Sequence, residues 1–123
     1  MWRFELAWIH DKRPRMTISI DDFRNVELRV ATVTAAAPHP NADRLLVLTI
    51  DVGGEQRQLV AGIRAHYEPQ DLVGKQIVVV ANLQPATLRG VESQGMLLAA
   101  SDDQGRLAIV TPEKPVASGA LVK

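Results

Sequence analysis

From Met16 onward the chain is written mostly in the two-residue period of strands. Val26, Leu28 and Val30 alternate with Glu27, Arg29 and Ala31, and β-branched residues follow. This predicts a first strand over Val26–Ala36. Pro38-His39-Pro40-Asn41 is turn chemistry. Leu45–Val52 reads as a second strand, Gly53-Gly54 as a hairpin turn and Gln56–Ala61 as a third strand. Ala65–Val73 reads as a short helix stopped by Gly74, with Pro69 better suited to its first turns than to its interior. Gln76–Asn82, bounded by Lys75 and a turn at Pro85, is an apolar strand, and Gln94–Ala100 is another. Asp102–Gly105 turns the chain into Arg106–Val110, and Pro112 and Pro115 lead into a tail ending Ala120-Leu121-Val122. Ahead of the first strand, Ser19 is placed to cap a helical turn over Ile20–Phe23, with Asp21 and Asp22 at its start.

Five or more short strands, with one helix between the third and fourth, predict an all-β fold. That order matches the five-stranded Greek-key OB barrel. An SH3-like barrel or a small sandwich satisfies the same pattern. Residues 1–15 read differently: Trp2, Phe4, Leu6 and Trp8 alternate with Arg3, Glu5 and Ala7, and Lys12-Arg13-Pro14-Arg15 breaks the pattern. The stretch is too short to bury its own apolar face. The expectation is that Met16 is the natural start, with residues 1–15 an added extension; a docked extra strand is the alternative.

At 123 residues, 46% of them hydrophobic, the chain makes one domain with a real core. No window is apolar long enough to span a membrane, and the first residues lack a signal peptide's apolar run. The absence of cysteine excludes disulfides, thiol catalysis and cysteine-held metals, and fits a reducing cytoplasm. Net charge is +0, from 14 basic and 14 acidic residues. Residues 1–15 hold four of the basic and two of the acidic ones, so residues 16–123 carry 14 − 4 = 10 basic and 14 − 2 = 12 acidic side chains, a net of −2. An anionic ligand must therefore meet a local basic cluster.

Several stretches are more specific than their periodicity. They are Asp22-Phe23, Val26-Glu27-Leu28-Arg29-Val30, His39-Pro40-Asn41-Ala42-Asp43-Arg44-Leu45, Val60-Ala61-Gly62-Ile63, Asp71-Leu72-Val73-Gly74-Lys75, Asn82-Leu83-Gln84-Pro85-Ala86, and the run Leu88 to Ala100 that contains Ser93-Gln94-Gly95-Met96. Together they resemble the tRNA-binding domain found at the C-terminus of many methionyl-tRNA synthetases, in a stand-alone dimeric tRNA-binding protein and in the endothelial-monocyte-activating polypeptide II group. The resemblance covers about residues 20–123. It implies an OB fold that recognises the shape of folded tRNA, with homodimerisation through N- and C-terminal segments outside the barrel. An aminoacyl-tRNA synthetase is the further partner it implies. The family's RNA-facing basic residue falls on Arg44, and its Ser and Met fall on Ser93 and Met96; Asn41 and Arg89 lie beside these in sequence. Where the family often has lysine, this chain reads Gln84-Pro85-Ala86-Thr87, which predicts a weaker phosphate contact there.

Each candidate has a structural alternative. Arg44 pairs either with a phosphate or with a neighbouring acid such as Asp43. Arg89, next to Gly90, is either a ligand contact or simply solvated. The Ser93 hydroxyl donates to phosphate or ribose, or pins its own loop. Met96 lies on a base or ribose, or belongs to the core. Asn41 reads a sugar or base edge, or serves only its turn. His39 and His66 lack a third ligand, so no metal is expected. No nucleophile, acid–base pair or phosphate-cradling loop stands out, so the chain reads as non-enzymatic and cofactor-free.

Only Phe23 and Tyr67 are aromatic after Met16. Phe23 is expected to be a buried anchor and Tyr67 a helix residue. A base-stacking platform is then missing, which argues against a single-strand binder and for backbone contacts to a preformed RNA shape. A secretion-associated chaperone of the CsaA type, which binds extended polypeptide, is the rival expectation. The Pro-Asn-Ala-Asp-Arg-Leu loop and the Ser-Gln-Gly-Met stretch favour the tRNA-binding branch.

Overall fold

A computed structural model describes residues 16–123. The alternating stretch Trp2–Trp8 lies outside the described residues. Helix α1 spans Ile20–Arg24. Ser19 opens it with a reciprocal capping box: its hydroxyl accepts from the Asp22 amide at 3.0 Å, and the Asp22 carboxylate accepts from the Ser19 amide at 3.4 Å. Five residues are too few to present a continuous apolar face, and α1 buries none of them. Phe23 is consequently 37% exposed, which corrects its expected role as a buried anchor.

Strands β1 (Leu28–Pro38), β2 (Leu46–Val52), β3 (Glu55–Ala61) and β4 (Gln76–Val80) form the framework. The sheet order is β3-β2-β1-β4, continued by a two-residue β7 (Met96–Leu97), with β10 (Leu121–Val122) paired to the start of β1. All these pairings are antiparallel. β1 is shared: Leu28–Thr32 pairs with β4 and Thr32–Pro38 with β2, with a register shift between Val33 and Ala35. That bulge lets one long strand curl through the sheet.

β2 alternates strictly, burying Leu46, Leu48, Ile50 and Val52. Those side chains meet Val33, Leu59, Ile77 and Val79 in one core cluster. Complete burial of each Leu or Ile contributes about 1.5–3 kcal/mol. The helix between the third and fourth strands, α2, is only Pro69–Leu72, shorter than the expected Ala65–Val73. Pro69 stands at its first turn, and His66 and Tyr67 are held ahead of it in a turn by the Ile63 carbonyl. Leu72, 1% exposed, plugs the barrel. The amide of Gly74 then bonds the Val33 carbonyl at 2.8 Å.

The expected fifth strand, Gln94–Ala100, is interrupted. β7 takes Met96–Leu97, and β8 (Ala99–Ser101) leaves to pair with β9 (Leu107–Ile109). The sequence reading missed a hairpin, β5 (Ala86–Leu88) and β6 (Val91–Ser93), which forms its own two-stranded sheet. The result is an all-β, OB-like antiparallel barrel. The tail folds back on it: the Gln76 side-chain amide exchanges hydrogen bonds with the backbone of Val116, and the Ser118 hydroxyl donates to the Asp51 carbonyl.

Candidate nucleic-acid interface

The interface begins with how the barrel closes. β3 is the sheet edge, and the chain between β6 and β7 seals it. The Gln94 amide donates to the Gln58 carbonyl at 2.8 Å, and the Gln94 side-chain oxygen accepts from the Gln58 amide at 3.0 Å. The Gln58 side chain donates to the Glu92 carbonyl at 2.8 Å. Ser93 is 5% exposed; its hydroxyl accepts from the Val60 amide at 3.0 Å and donates to the Gly95 carbonyl at 2.9 Å. Both bonding directions of the hydroxyl are used inside the chain, as a loop pin requires. Gly95 has φ +136, and a Cβ there would lie 2.9 Å from the Val80 carbonyl oxygen and 3.2 Å from Leu59. Three consecutive residues of the Ser-Gln-Gly-Met stretch thus join β3 to β4. Met96 alone turns outward, 47% exposed.

The β1–β2 loop adjoins this closure. It is folded on itself by the His39 amide to the Leu45 carbonyl at 3.0 Å and the Leu45 amide to the Ala42 carbonyl at 3.3 Å. Asn41 donates its backbone N–H to His39 Nδ1 at 2.9 Å, and its side chain is exposed. Arg44 is exposed as well. The Arg44 carbonyl accepts from the Arg64 amide at 3.4 Å, and the Arg64 guanidinium donates to the Asp43 carbonyl, also at 3.4 Å. Arg64 therefore stands beside Arg44. Sequence reasoning missed it, because it lies 20 positions further along and only the β2–β3 pairing returns the chain to this spot.

The β5–β6 hairpin completes the group. Leu88 faces Val91 across a two-residue turn of Arg89 and Gly90, with φ +52 and +88. Two positive φ angles are what a tight hairpin turn of the right twist needs. Arg89 is the only non-glycine residue with positive φ among the described residues. Its side chain is exposed at the hairpin tip. Of the sequence-predicted residues, Asn41, Arg44, Arg89 and Met96 stand on the surface, and Ser93 stands beneath it.

Electrostatics separate this surface from the rest of the molecule. Arg24, Arg29, Arg57 and Arg106 form ion pairs with Asp21, Glu27, Glu55 and Asp102. Among the described residues, Arg44, Arg64 and Arg89 form none. Tyr67 precedes α2 rather than lying on it. Its hydroxyl accepts from the Ile109 amide at 3.1 Å and its ring packs on the core, below Lys75. It offers no free face for a base. Asn82, in the turn where the family has its lysine nearby, clamps α1 to the barrel through the Asn25 carbonyl and the Glu27 amide. The described residues contain no cluster of three His, Asp or Glu side chains suited to a metal ion, and no helix long and apolar enough to cross a membrane.

Comparison with known proteins gives this geometry its context. The family model described as "Putative tRNA binding domain" matches residues 28–121. The methionine–tRNA ligase of Thermococcus kodakarensis is 51% identical over 106 residues, which is 86% of this chain but 14% of that protein's length. A solved structure of a MetRS related protein from Pyrococcus horikoshii superposes with a TM-score of 0.83 at 33% identity, covering 88% of this chain and 99% of the other. The structure of chaperone CsaA from Bacillus anthracis superposes with a TM-score of 0.80 at 30% identity, covering 88% of this chain and all of the other.

Proposed function

The chain belongs to the tRNA-binding domain family, and from that premise we propose that it is a non-catalytic module that holds folded tRNA by its backbone and shape. The contacts run through Arg44 and Asn41 in the β1–β2 loop, Arg64 after β3, Arg89 at the β5–β6 tip and Met96 on β7. The observation that carries this reading is the gathering of three arginines free of ion pairs on elements tied to one another. Guanidinium groups pair with phosphate oxygens in two-pronged, charge-assisted bonds. Phosphate contacts fix position and carry no sequence information, which suits a ligand read by its shape. Ser93 acts here as the pin beneath Met96, not as a contact. The module works in the cytoplasm, in protein biosynthesis, either free-standing or as part of a methionyl-tRNA synthetase.

The module acts as a homodimer. Met16, Ile18, Ile20 and Phe23 around α1, with Leu121 of the tail, are exposed apolar side chains. The tail and the chain after α1 meet where β10 pairs with Leu28 and Arg29 of β1. Contiguous exposed apolar surface of this kind marks an interaction site. A two-fold pair doubles the arginines offered to one large RNA.

The experiment is a titration with total tRNA, single-stranded DNA of equal length and an unfolded polypeptide, each at several salt concentrations. Folded tRNA is expected to bind best. Its log Kd should change with log salt by about 0.7–0.9 per phosphate contacted, hence by roughly 2–3 for three arginines. Equal affinity for single-stranded DNA refutes shape recognition. Tighter binding of the unfolded polypeptide than of tRNA replaces this reading with the chaperone one, which the CsaA likeness makes the rival.

A further inference from the structure

We infer that His39 is a positioning residue that locks the Arg89 hairpin to the Arg44 loop, so that the two guanidinium groups meet tRNA at a fixed separation. The inference rests on the proposed tRNA reading and says how that site is held ready.

His39 is 4% exposed, one of two buried polar residues among those described. A ligand does not reach it, and no metal cluster includes it. Both ring nitrogens are nonetheless engaged. Nδ1 faces the Asn41 backbone N–H at 2.9 Å, and Nε2 faces the Leu88 carbonyl at 2.9 Å. An N–H only donates and a carbonyl only accepts, so the two bonds select one form of the ring. It is the neutral imidazole with its proton on Nε2. That ring bridges two segments 49 positions apart in sequence. One is the loop of Asn41 and Arg44; the other ends one residue before Arg89.

The hairpin needs such a tie. β5 and β6 have three residues each, pair only with each other and leave β5 wholly exposed. A lone two-stranded hairpin is at best marginally stable in water. Its base is anchored to β3 by Ser93 and through the Glu92 carbonyl. At the other end, next to the strained Arg89, the His39–Leu88 bond is the side-chain tie among the described residues. Without it the tip swings on its base, and Arg89 must be ordered anew each time RNA binds. A preorganised contact avoids that entropic loss.

The test uses the whole chain, and two conservative variants separate the two bonds. A glutamine amide nitrogen stands where Nε2 stood and can still donate to Leu88. An asparagine amide oxygen stands where Nδ1 stood and can still accept from Asn41. tRNA affinity and its salt slope are measured for Arg89→Ala, His39→Gln, His39→Asn and the doubles with Arg89→Ala, well below each melting temperature. Arg89→Ala is expected to weaken binding about 3–10-fold and to lower the salt slope by about 0.7–0.9. His39→Asn should reproduce both changes, and adding Arg89→Ala to it should change little more. His39→Gln should keep most of the affinity, with Arg89→Ala still costly in its background.

A protein merely destabilised at position 39 would lose melting temperature without losing salt slope, and that result overturns the inference. So does a double variant in which the losses of His39→Asn and Arg89→Ala multiply, because the residues would then act independently. Wild-type affinity in Arg89→Ala overturns the reading of the hairpin as an RNA contact, and the inference with it. The outcomes therefore tell a failure of the tie from a failure of the site.

Discussion

Replacing Ser93 with alanine tests whether this hydroxyl holds the barrel or a ligand. The substitution removes one oxygen and leaves almost no cavity. It orphans two backbone groups, the Val60 N–H and the Gly95 carbonyl, each now bonded to Oγ within 3.0 Å. Val60 is 8% exposed and Gly95 is buried, so water does not readily replace the hydroxyl. An unsatisfied buried group costs about 1–3 kcal/mol, the carbonyl less when another donor is near. The two together come to roughly 2–4 kcal/mol, a large part of a domain stability of about 5–15 kcal/mol. At about 4–8 °C per kcal/mol for a domain near this size, the melting temperature should fall by roughly 10–20 °C. The loss is read from circular-dichroism melts and urea titrations, with tRNA affinity measured at a temperature where the variant is folded. That affinity should stay within about twofold of wild type, because the contact surface is unchanged. A melting temperature within about 2 °C of wild type, together with a tenfold weaker affinity, would make Ser93 a ligand contact and refute the reasoning.

Met96 gives the converse result: at 47% exposure, Met96→Ala should cost about 1 kcal/mol or less, well under the 2–5 of a core methionine, while tRNA binding weakens. Thermal melts and titrations check this, and a stability loss above about 2 kcal/mol with normal binding removes Met96 from the interface. Arg89→Gly should raise stability by about 0.5–1 kcal/mol, since left-handed backbone costs an L-residue about 1–2 and glycine returns part of that in chain entropy. Affinity for tRNA should fall at the same time; a variant that loses stability would mean the φ of +52 is not strained. Phe23→Glu on α1, whose side chains are all exposed, should leave the melting temperature of the subunit near wild type and halve the mass seen by light scattering. A wild-type mass of one chain at micromolar concentration overturns the dimer.

How much of this was legible in the sequence depended on how much periodicity each element contained. β2 has seven residues and alternates throughout, so its span and its buried face were readable to within a residue. The Ser19 cap was readable because a capping box is local chemistry. The β5–β6 hairpin was not, since three residues per strand hold barely one period and its turn is Arg-Gly instead of the usual Asn-Gly. Phe23 misled because a five-residue helix does not say which side is covered. Ser93 was ambiguous by nature: a hydroxyl suits a phosphate and a loop pin equally, and only the return of β3 to within 3.0 Å of it decides. His39 was weighed as a metal ligand and set aside. Its partner, the Leu88 carbonyl, belongs to a distant segment, so the local sequence held no sign of the bond.

The distribution of charge explains how a domain with two more acids than bases can hold a polyanion. Exposed ion pairs contribute about 0–1 kcal/mol each, so the four in this structure are weak as fasteners. Their larger effect is on the electrostatic field. Arg24, Arg29, Arg57 and Arg106 are each neutralised by an acid within 4 Å. At physiological ionic strength charges further apart than about 8 Å are largely screened. A phosphate docking at the β1–β2 loop therefore responds to Arg44, Arg64 and Arg89, with Asp43 and Glu92 as the opposing charges on the same segments, and not to the net charge of the chain. Three positive points on a tied framework also discriminate by rigidity. A folded RNA brings its phosphates already spaced and meets all three at once. A flexible single strand must be ordered to do so, and without an aromatic platform on this face it gains no stacking energy, about 1–3 kcal/mol per base in proteins that have one, to offset that cost.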